Sequence, residues 1–160
     1  MRQNTVPPDT PAADLVLYRL MLVSGFVAQD FTRRFTRHKL TLPEWRVLLE
    51  LHREGPDSAA SIARRTGLTA MNVSRAVAAQ TALGRIERAR DPADARRHLL
   101  TLTPRGQALI ARVLPEGEAT ARALLADIPP ERHAELAEAM ATMLDVARRR
   151  AQNPNGSPIG

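Results

Sequence analysis

Apolar side chains recur every three to five residues along most of this chain, a spacing typical of helices that bury one face. The first such stretch, 14–38, places Leu15, Leu22, Phe31 and Phe35 on this pattern. A cluster of basic residues closes the stretch. At the negative end of a helix dipole these residues stabilise the helix, and a contact with DNA is the alternative. The pattern predicts one long first helix.

Capping residues then mark shorter helices in the middle of the chain. Thr41 and Glu44 have the spacing of a capping box and predict a helix start. A short helix is predicted over 58–66, and Thr69 caps another that runs to about Ala82.

Two short extended runs follow, over 84–90 and 97–102. The turn-forming sequence between them predicts a β-hairpin with an arginine-rich tip. Thr103 and Pro104 begin a further helix, in which Pro115 predicts a kink or a local break.

The last helix is predicted over 131–150, after a break at two consecutive prolines. It carries Leu136, Met140 and Leu144 on one stripe. The central module is too small to bury this stripe and that of the first helix. Two copies of the chain are therefore expected to bury both stripes in a shared core. A helical cap within one chain is the alternative.

Two of the predicted helices have the spacing of a helix-turn-helix motif. Ile62 and Val73 occupy its apolar positions, Ala63 is small where the two helices cross, and Gly67 suits a tight turn with positive φ. Short helix pairs are common in proteins. The motif therefore indicates DNA binding only together with its surroundings.

The charge of the chain is concentrated in this same region. The 160 residues carry 23 Lys and Arg against 17 Asp and Glu, a formal net charge of +6. The segment 58–105 holds nine arginines and three acids, so the remainder, with 14 residues of each sign, is neutral. Such a block is typical of a nucleic-acid surface, and a solvated basic face is the alternative. Motif, hairpin and basic block together predict a DNA-binding protein.

Composition excludes several other classes of site. The absence of cysteine excludes a disulfide framework, a thiolate zinc site and a cysteine redox sensor. The four histidines are scattered and predict no metal site. The sequence has no nucleophile-base-orienter set and no phosphate loop, so we expect neither an enzyme nor a bound cofactor. The longest apolar stretch, 15–28, is expected to be too short for a membrane span, which favours a cytoplasmic protein with no membrane partner.

The second helix of the motif is expected to lie in the major groove of DNA. Asn72 is predicted to read adenine or to cap the helix, and Arg75 to read guanine or to bind phosphate only. At the hairpin tip, Arg96 is predicted to enter the minor groove, with Asp94 orienting it or serving the turn alone. The predicted DNA contacts are Ser58, Ser61, Thr69, Met71, Asn72, Ser74, Arg75, Arg88, Arg90, Asp94, Arg96 and Arg97.

The hairpin and the helix start that follows it resemble the most recognisable signature of the MarR family of bacterial transcription regulators. The matching residues are Asp91-Pro92-Ala93-Asp94-Ala95-Arg96, Leu102-Thr103-Pro104-Arg105-Gly106, and Gly84, Ile86 and Arg88 at the entry to the hairpin. The resemblance covers roughly 15–150. It implies a mainly α fold with a small β-hairpin wing, a winged helix-turn-helix with long terminal dimerisation helices.

The resemblance also implies a function. Members of the family are homodimers that bind pseudo-palindromic double-stranded DNA, usually as repressors, and are often released by a small phenolic or aromatic carboxylate effector. This predicts a ligand-responsive repressor. An architectural DNA-binding protein with weak sequence selectivity and no effector is the alternative.

On this basis the chain is predicted to have five parts. These are a flexible N-terminal arm over 1–13, a dimerisation helix over 14–40, a winged helix-turn-helix DNA-binding domain over 41–105, C-terminal dimerisation helices over 106–150, and a flexible tail over 151–160.

The effector site that the resemblance implies lies between the dimerisation helices and the DNA-binding domain. There an aromatic wall and a cation, Arg46 or His38, could hold an aromatic carboxylate. The alternative is a hydrophobic core with surface cations. The predicted lining is Phe31, Phe35, His38, Trp45, Arg46 and Leu49.

Two features depart from the family pattern. The segment 76–80 lacks the bulkier leucines that are usual near both of its ends, and Arg85 stands where an apolar residue is usual. Both features predict looser packing of the hairpin against the second helix of the motif, the recognition helix.

Overall fold

The computed structural model describes residues 12–90 and 98–153. The predicted hairpin tip, and all but the inner ends of the predicted arm and tail, lie outside these residues. The elements are helices α1 (Ala12–Phe35), α2 (Leu42–Glu54), α3 (Ala59–Thr66), α4 (Ala70–Ala82), α5 (Pro104–Leu125) and α6 (His133–Gln152), strands β1 (Ile86–Arg90) and β2 (His98–Leu102), and single 3₁₀ turns at Thr36–His38 and Pro130–Arg132.

Side-chain caps fix the starts of the central helices. Thr41 and Glu44 form the complete capping box, with the Thr41 N–H donating to Glu44 Oε2 at 2.7 Å. The hydroxyls of Thr69 and Thr103 accept hydrogen bonds from backbone N–H groups at 3.2 and 3.1 Å. Because these caps act within one turn of chain, the three predicted helix starts are confirmed.

The helix that contains Pro115 does not break. The α5 helix runs through this residue to Leu125, so the predicted local break is wrong. A proline inside a helix costs about 3 kcal/mol, and contacts on both sides offset this cost. Val113 is fully buried before the proline. After it, the Thr120 hydroxyl donates a 2.9 Å hydrogen bond to Asp30 of α1.

The core lies in the middle of the chain. Buried side chains from α2, α3, α4, the hairpin and the first half of α5 form one cluster, and Phe31 and Phe35 from the end of α1 join it. The two strands pair antiparallel, with Ile86 opposite Leu102 at the base. Backbone hydrogen bonds of 3.1 and 2.8 Å between Asp57 and Leu100 tie the start of α3 to the hairpin.

The terminal helices expose apolar stripes instead. In α1, more than half of the surface is exposed at each of Val16, Tyr18, Met21 and Phe26. No residue of α6 is buried. Leu136, Met140 and Leu144 of α6 are among the exposed large apolar side chains. A stripe of this extent on a water-soluble surface marks a place of contact with another surface.

By length and composition, the segment Asp14–His38 is long and apolar enough to cross a membrane. The prediction that this part of the chain is too short is therefore wrong. A helix that pairs with another apolar surface in water meets the same criterion. The inner end of α1 is buried in the chain's own core through Phe31 and Phe35, which favours such pairing.

Candidate nucleic-acid interface

Helix α4, the second helix of the helix-turn-helix motif, has one buried face and one exposed face. It turns Val73, Ala76, Val77 and Gln80 into the core. Its opposite face exposes Met71, Asn72, Ser74 and Arg75. Polar groups on this face are able to hydrogen-bond to base edges and phosphates.

The turn before this helix has the conformation that its sequence predicts. Gly67 takes φ 70, and its N–H donates to the Ala63 carbonyl at 3.0 Å, which ends α3. Ile62 is completely buried between the helices. The helix-turn-helix geometry therefore follows from small and apolar residues at the predicted positions.

Three of the predicted contacts are hydroxyls at helix starts. Ser58 caps α3 by accepting from the Ser61 N–H at 3.2 Å, and Thr69 caps α4 by accepting from the Asn72 N–H. The Ser61 hydroxyl accepts a 3.2 Å hydrogen bond from Arg65. These side chains hold the starts of α3 and α4, and a helix N-terminus is in general a favourable place for a phosphate.

Strand β1 carries two more of the predicted contacts. Arg88 and Arg90 are exposed and lie on one face of the strand, since they are two residues apart. The predicted tip contacts Asp94, Arg96 and Arg97 lie outside the described residues.

Not every arginine of the basic block belongs to this surface. Arg65 is held by salt bridges to Glu50 and to Asp57, the latter at 2.6 Å. The hydrogen bond to Glu50, which outweighs the effect of burial, raises the pKa of Arg65. Arg65 thus joins α2 to α3 and is not free for phosphate, whereas Arg64 and Arg105 are exposed.

Arg85 is the second internal arginine. Its Nη1 donates to Gln80 Oε1 at 3.0 Å, and its Nη2 donates to the His38 carbonyl at 3.3 Å. Gln80 and Arg85 are two of the positions at which the chain departs from the family pattern, and they contact each other. The expected loose packing at this point is wrong, because hydrogen bonds replace the apolar contact.

A cavity of about 470 Å³ lies between α1, α2 and α5. Its aromatic wall is stacked: the ring of Phe35 lies 4.0 Å from that of Phe31 and 5.5 Å from that of Trp45. Arg46 and Leu49 complete the five predicted lining residues that the structure brings together here.

The sixth predicted residue, His38, lies elsewhere. Its Nε2 is 3.0 Å from Glu116 Oε1 on α5, and Arg37 binds the same carboxylate oxygen at 2.6 Å. Hydrogen bonding from Arg37, and then from His38, holds the pKa of Glu116 below its usual value. His38 therefore joins the end of α1 to α5 and does not line the cavity.

The sequence analysis missed the wall that α5 contributes. Leu114, Gly117, Thr120 and Ala121 line this side of the cavity. A Cβ added at Gly117 would meet no atom within 4 Å. The spacing of Gly117 and Ala121, two small residues one helical turn apart, is the signal that could have predicted an open space here.

Comparison with known proteins finds a family that part of this chain matches. Residues 38–97, from the end of the first 3₁₀ turn to the residue before β2, match the model described as the MarR family. No curated protein matches the sequence.

Solved structures of similar fold cover nearly the whole chain. BpsR of Bordetella bronchiseptica, whose DNA binding is regulated by 6-hydroxynicotinic acid, is 24% identical with a TM-score of 0.71, over 81% of this chain and 98% of its own. A probable transcriptional regulator of Pseudomonas aeruginosa is 26% identical with a TM-score of 0.69, over 83% and 99%.

A MarR family regulator of Silicibacter pomeroyi is 19% identical but superposes more closely, with a TM-score of 0.79 over 94% of this chain and 99% of its own. Members of the matched family are transcription regulators, not enzymes. The helix-turn-helix and the first strand of the hairpin match the MarR family, and the fold along the chain is similar to that of solved winged helix-turn-helix regulators of this family.

Proposed function

We propose that this regulator is a cytoplasmic homodimer that represses transcription at a pseudo-palindromic operator and is released by a small aromatic acid. The observation that carries the proposal is the division of α4 into a buried face and an exposed polar face, beside exposed arginines on β1. The division provides a reading surface that the core of the molecule holds rigidly.

The dimer is supported by the apolar stripes of the terminal helices. Exposed Leu17 and Phe26 of α1, Leu124 of α5 and Leu144 of α6 have no cover among residues 12–90 and 98–153. A second copy related by twofold symmetry offers the same stripes and can bury them. The same symmetry presents two recognition helices to half-sites about one helical turn of DNA apart.

On DNA, α4 is placed in the major groove. Asn72 and Arg75 have the side chains that pair bidentately with adenine and guanine. The starts of α3 and α4, at Ser58 and Thr69, are oriented to phosphates. Arg88 and Arg90 follow the backbone toward the minor groove, which the hairpin tip with Asp94, Arg96 and Arg97 is proposed to enter.

The ligand is proposed to occupy the cavity between α1, α2 and α5. Phe31, Phe35 and Trp45 form a flat wall for an aromatic ring, and Arg46 and Arg53 stand on α2 at the cavity for its carboxylate. The regulation of BpsR by 6-hydroxynicotinic acid, an aromatic acid, supports this class of effector. To weaken DNA binding tenfold, such a ligand must favour the released form of the dimer by about 1.4 kcal/mol.

Selection of bound sequences from random DNA tests the proposal. We expect an inverted repeat, bound at least about 1,000-fold more tightly than a scrambled duplex at physiological salt. Arg75→Ala should reduce this ratio, whereas Arg132→Ala, at an exposed arginine in the 3₁₀ turn before α6, should leave it unchanged. Light scattering should give the mass of two chains.

Two outcomes would contradict the proposal. Equal affinity for all duplexes would indicate an architectural DNA-binding protein. A mass of one chain at micromolar protein concentration would contradict the proposed dimer. Repetition of the selection with a panel of aromatic acids, including 6-hydroxynicotinic acid, tests release directly.

A further inference from the structure

Arg85 connects the recognition helix to the junction between α1 and α2. The side chain leaves the turn that follows α4, and its two terminal nitrogens donate in two directions. One hydrogen bond of 3.0 Å reaches Gln80 in the last turns of α4, and the other, of 3.3 Å, reaches the main-chain oxygen of His38. One rigid planar guanidinium therefore joins the end of α4 to His38, which lies 47 residues before Arg85 in the sequence.

The backbone of Arg85 is fixed in place. Its N–H donates to the Gln80 carbonyl at 2.9 Å, and its carbonyl accepts from the Thr103 N–H at 3.1 Å. Gly106 packs so closely that a Cβ there would lie 2.2 Å from the Arg85 oxygen. Because the backbone cannot drift relative to α4 and α5, a displacement of His38 must be transmitted through the guanidinium or break its hydrogen bond.

The other end of the link starts at the cavity wall. The Phe35 ring, which stacks on Phe31 and Trp45, lies 6.3 Å from the His38 ring. Between Phe35 and His38 the chain makes only a single 3₁₀ turn. The position of the His38 carbonyl therefore depends on the packing of the aromatic wall.

The backbone at this junction is strained. Lys39 has φ 54 and ψ 51, a left-handed conformation that costs a non-glycine residue about 1 kcal/mol or more. Residues held in such a conformation need the surrounding contacts to keep them there. Arg85 supplies one of these contacts, next to the strained residue.

The position of Arg85 is unfavourable for its positive charge. Burial, and then the repulsion of Arg105, lower the pKa of Arg85, and no carboxylate of the described residues forms a salt bridge with it. Gln80 is completely buried, and its Nε2 finds no partner within the same residues. A cation held only by neutral oxygens keeps its position while both hydrogen bonds are intact.

We propose that Arg85 is a positioning residue that couples the cavity between α1, α2 and α5 to the recognition helix through Gln80 and His38. This inference rests on the proposed function, since it needs DNA at α4. A change in the aromatic wall moves His38, and Arg85 passes the movement to the last turns of α4. By thermodynamic reciprocity, DNA bound at α4 must change the cavity by the same route.

The single tryptophan of the chain, Trp45, makes this reciprocity measurable without any ligand. It lies in the cavity wall and is 8% exposed. The experiment titrates the full-length protein with its selected, fluorescently labelled duplex. Anisotropy of the label reports DNA binding, and tryptophan fluorescence reports the cavity. In the wild type both signals are expected to change together and to saturate at the same DNA concentration.

Removal of the link should separate the two signals. Arg85→Leu is expected to bind the duplex with a Kd within about threefold of wild type, but with the change in tryptophan fluorescence lost. Gln80→Leu removes the acceptor on the other side and should give the same result, which keeps the test decisive if Arg85→Leu does not fold. Arg112→Leu, an exposed arginine near Arg85 with no hydrogen bond among the described residues, is the matched control and should keep both signals.

The outcomes are distinguishable. If anisotropy rises while wild-type fluorescence stays constant, the coupling is refuted and the proposed function stands. If a folded Arg85→Leu or Gln80→Leu keeps the full fluorescence change and loses only thermal stability, Arg85 is a structural contact and the inference fails. If no duplex changes the anisotropy, the proposed function and this inference fall together.

Discussion

The guanidinium of Arg148 donates two hydrogen bonds, of 3.1 and 3.0 Å, to the main-chain oxygen of Arg65. Arg65 lies in the last turn of α3, where carbonyl groups lack helical partners and the helix dipole is negative. The last helix of the chain is thereby attached to the helix-turn-helix. Because α6 contributes no buried residue to the core, this contact is placed to set the angle between α6 and the reading surface.

In the proposed dimer, Arg148→Ala should loosen the spacing between the two recognition helices. In the wild type, insertion or removal of one base pair between the half-sites should weaken binding strongly, because the reading helices have a fixed separation. We expect the variant to lose about threefold to tenfold in affinity for the best operator, as for one charge-assisted contact that is partly exposed to solvent. It should discriminate less between the three spacings.

Arg149→Ala provides the control, since this neighbouring arginine is exposed. The measurement is a set of DNA affinities for the three operators with each protein. An unchanged spacing profile in Arg148→Ala would show that α6 is held by other means.

Asp57 should make the stability of the DNA-binding domain sensitive to acid. Burial by itself would raise the pKa of this carboxyl group, but hydrogen bonds from Ser61, from the Ser58 N–H and from Arg65 bring it below its ordinary value. A lowered pKa in the folded state means that the stabilisation is complete above the unfolded pKa of about 3.9. It is lost as the pH falls through the folded value.

Asp57→Asn should therefore reduce the free energy of unfolding by about 2 kcal/mol at neutral pH. The difference from wild type should shrink when the pH falls below about 4. Urea unfolding across this range measures both quantities. Asp145→Asn, at an exposed carboxylate, should have little effect, and an equal loss from Asp57→Asn at every pH would contradict the assignment.

The features that the sequence predicts well are those decided within one turn of chain. Thr41, Thr69 and Thr103 cap their own helices, so their positions follow from local spacing. The inward and outward faces of α4 follow from helical periodicity in the same way. None of these features depends on a distant part of the chain.

The features that the sequence mispredicts depend on distant contacts. The direction of His38 is set by the 3₁₀ turn and by the left-handed Lys39, which no local pattern requires. Its partner Glu116 is 78 residues away. In the sequence, Arg85 is a charged residue at a position where an apolar one is usual. Its acceptors, Gln80 and the His38 carbonyl, are known only from the folded structure.

Two glycines of α5 should respond in opposite ways to replacement by alanine. At Gly106 a Cβ would lie 2.2 Å from the Arg85 backbone oxygen and 3.1 Å from the Leu102 side chain, so Gly106→Ala forces the hairpin away from α5. We expect a loss of about 1–3 kcal/mol, as for overpacking. At Gly117 nothing lies within 4 Å, and Gly117→Ala should stabilise the helix by about 0.5–1 kcal/mol.

Thermal and urea unfolding of both variants test this contrast. Both substitutions add one methyl group to the same helix, so an opposite sign of the two effects would report the close approach of Gly106 to Arg85 and Leu102. Equal effects of the two substitutions on the free energy of unfolding would mean that the close approach at Gly106 does not constrain the hairpin.

Arg75 and Arg90 should differ in what their removal does to DNA recognition. Arg75 is exposed on the reading face of α4, and Arg90 is exposed near the tip end of β1. A base contact carries sequence information, whereas a phosphate contact carries only charge. Arg75→Ala should therefore relax the preference at one position of each half-site, at a cost of about 1–3 kcal/mol for the preferred base.

Arg90→Ala should instead weaken binding to all duplexes by a similar factor. It should also lower the slope of log affinity against log salt by about 0.9 for each phosphate contact removed. Affinities for single-base variants of the selected operator, measured at several salt concentrations, separate the two effects. If Arg75→Ala changes the salt slope and leaves the base preferences intact, Arg75 binds phosphate, and the specificity of α4 must come from Asn72 and its neighbours.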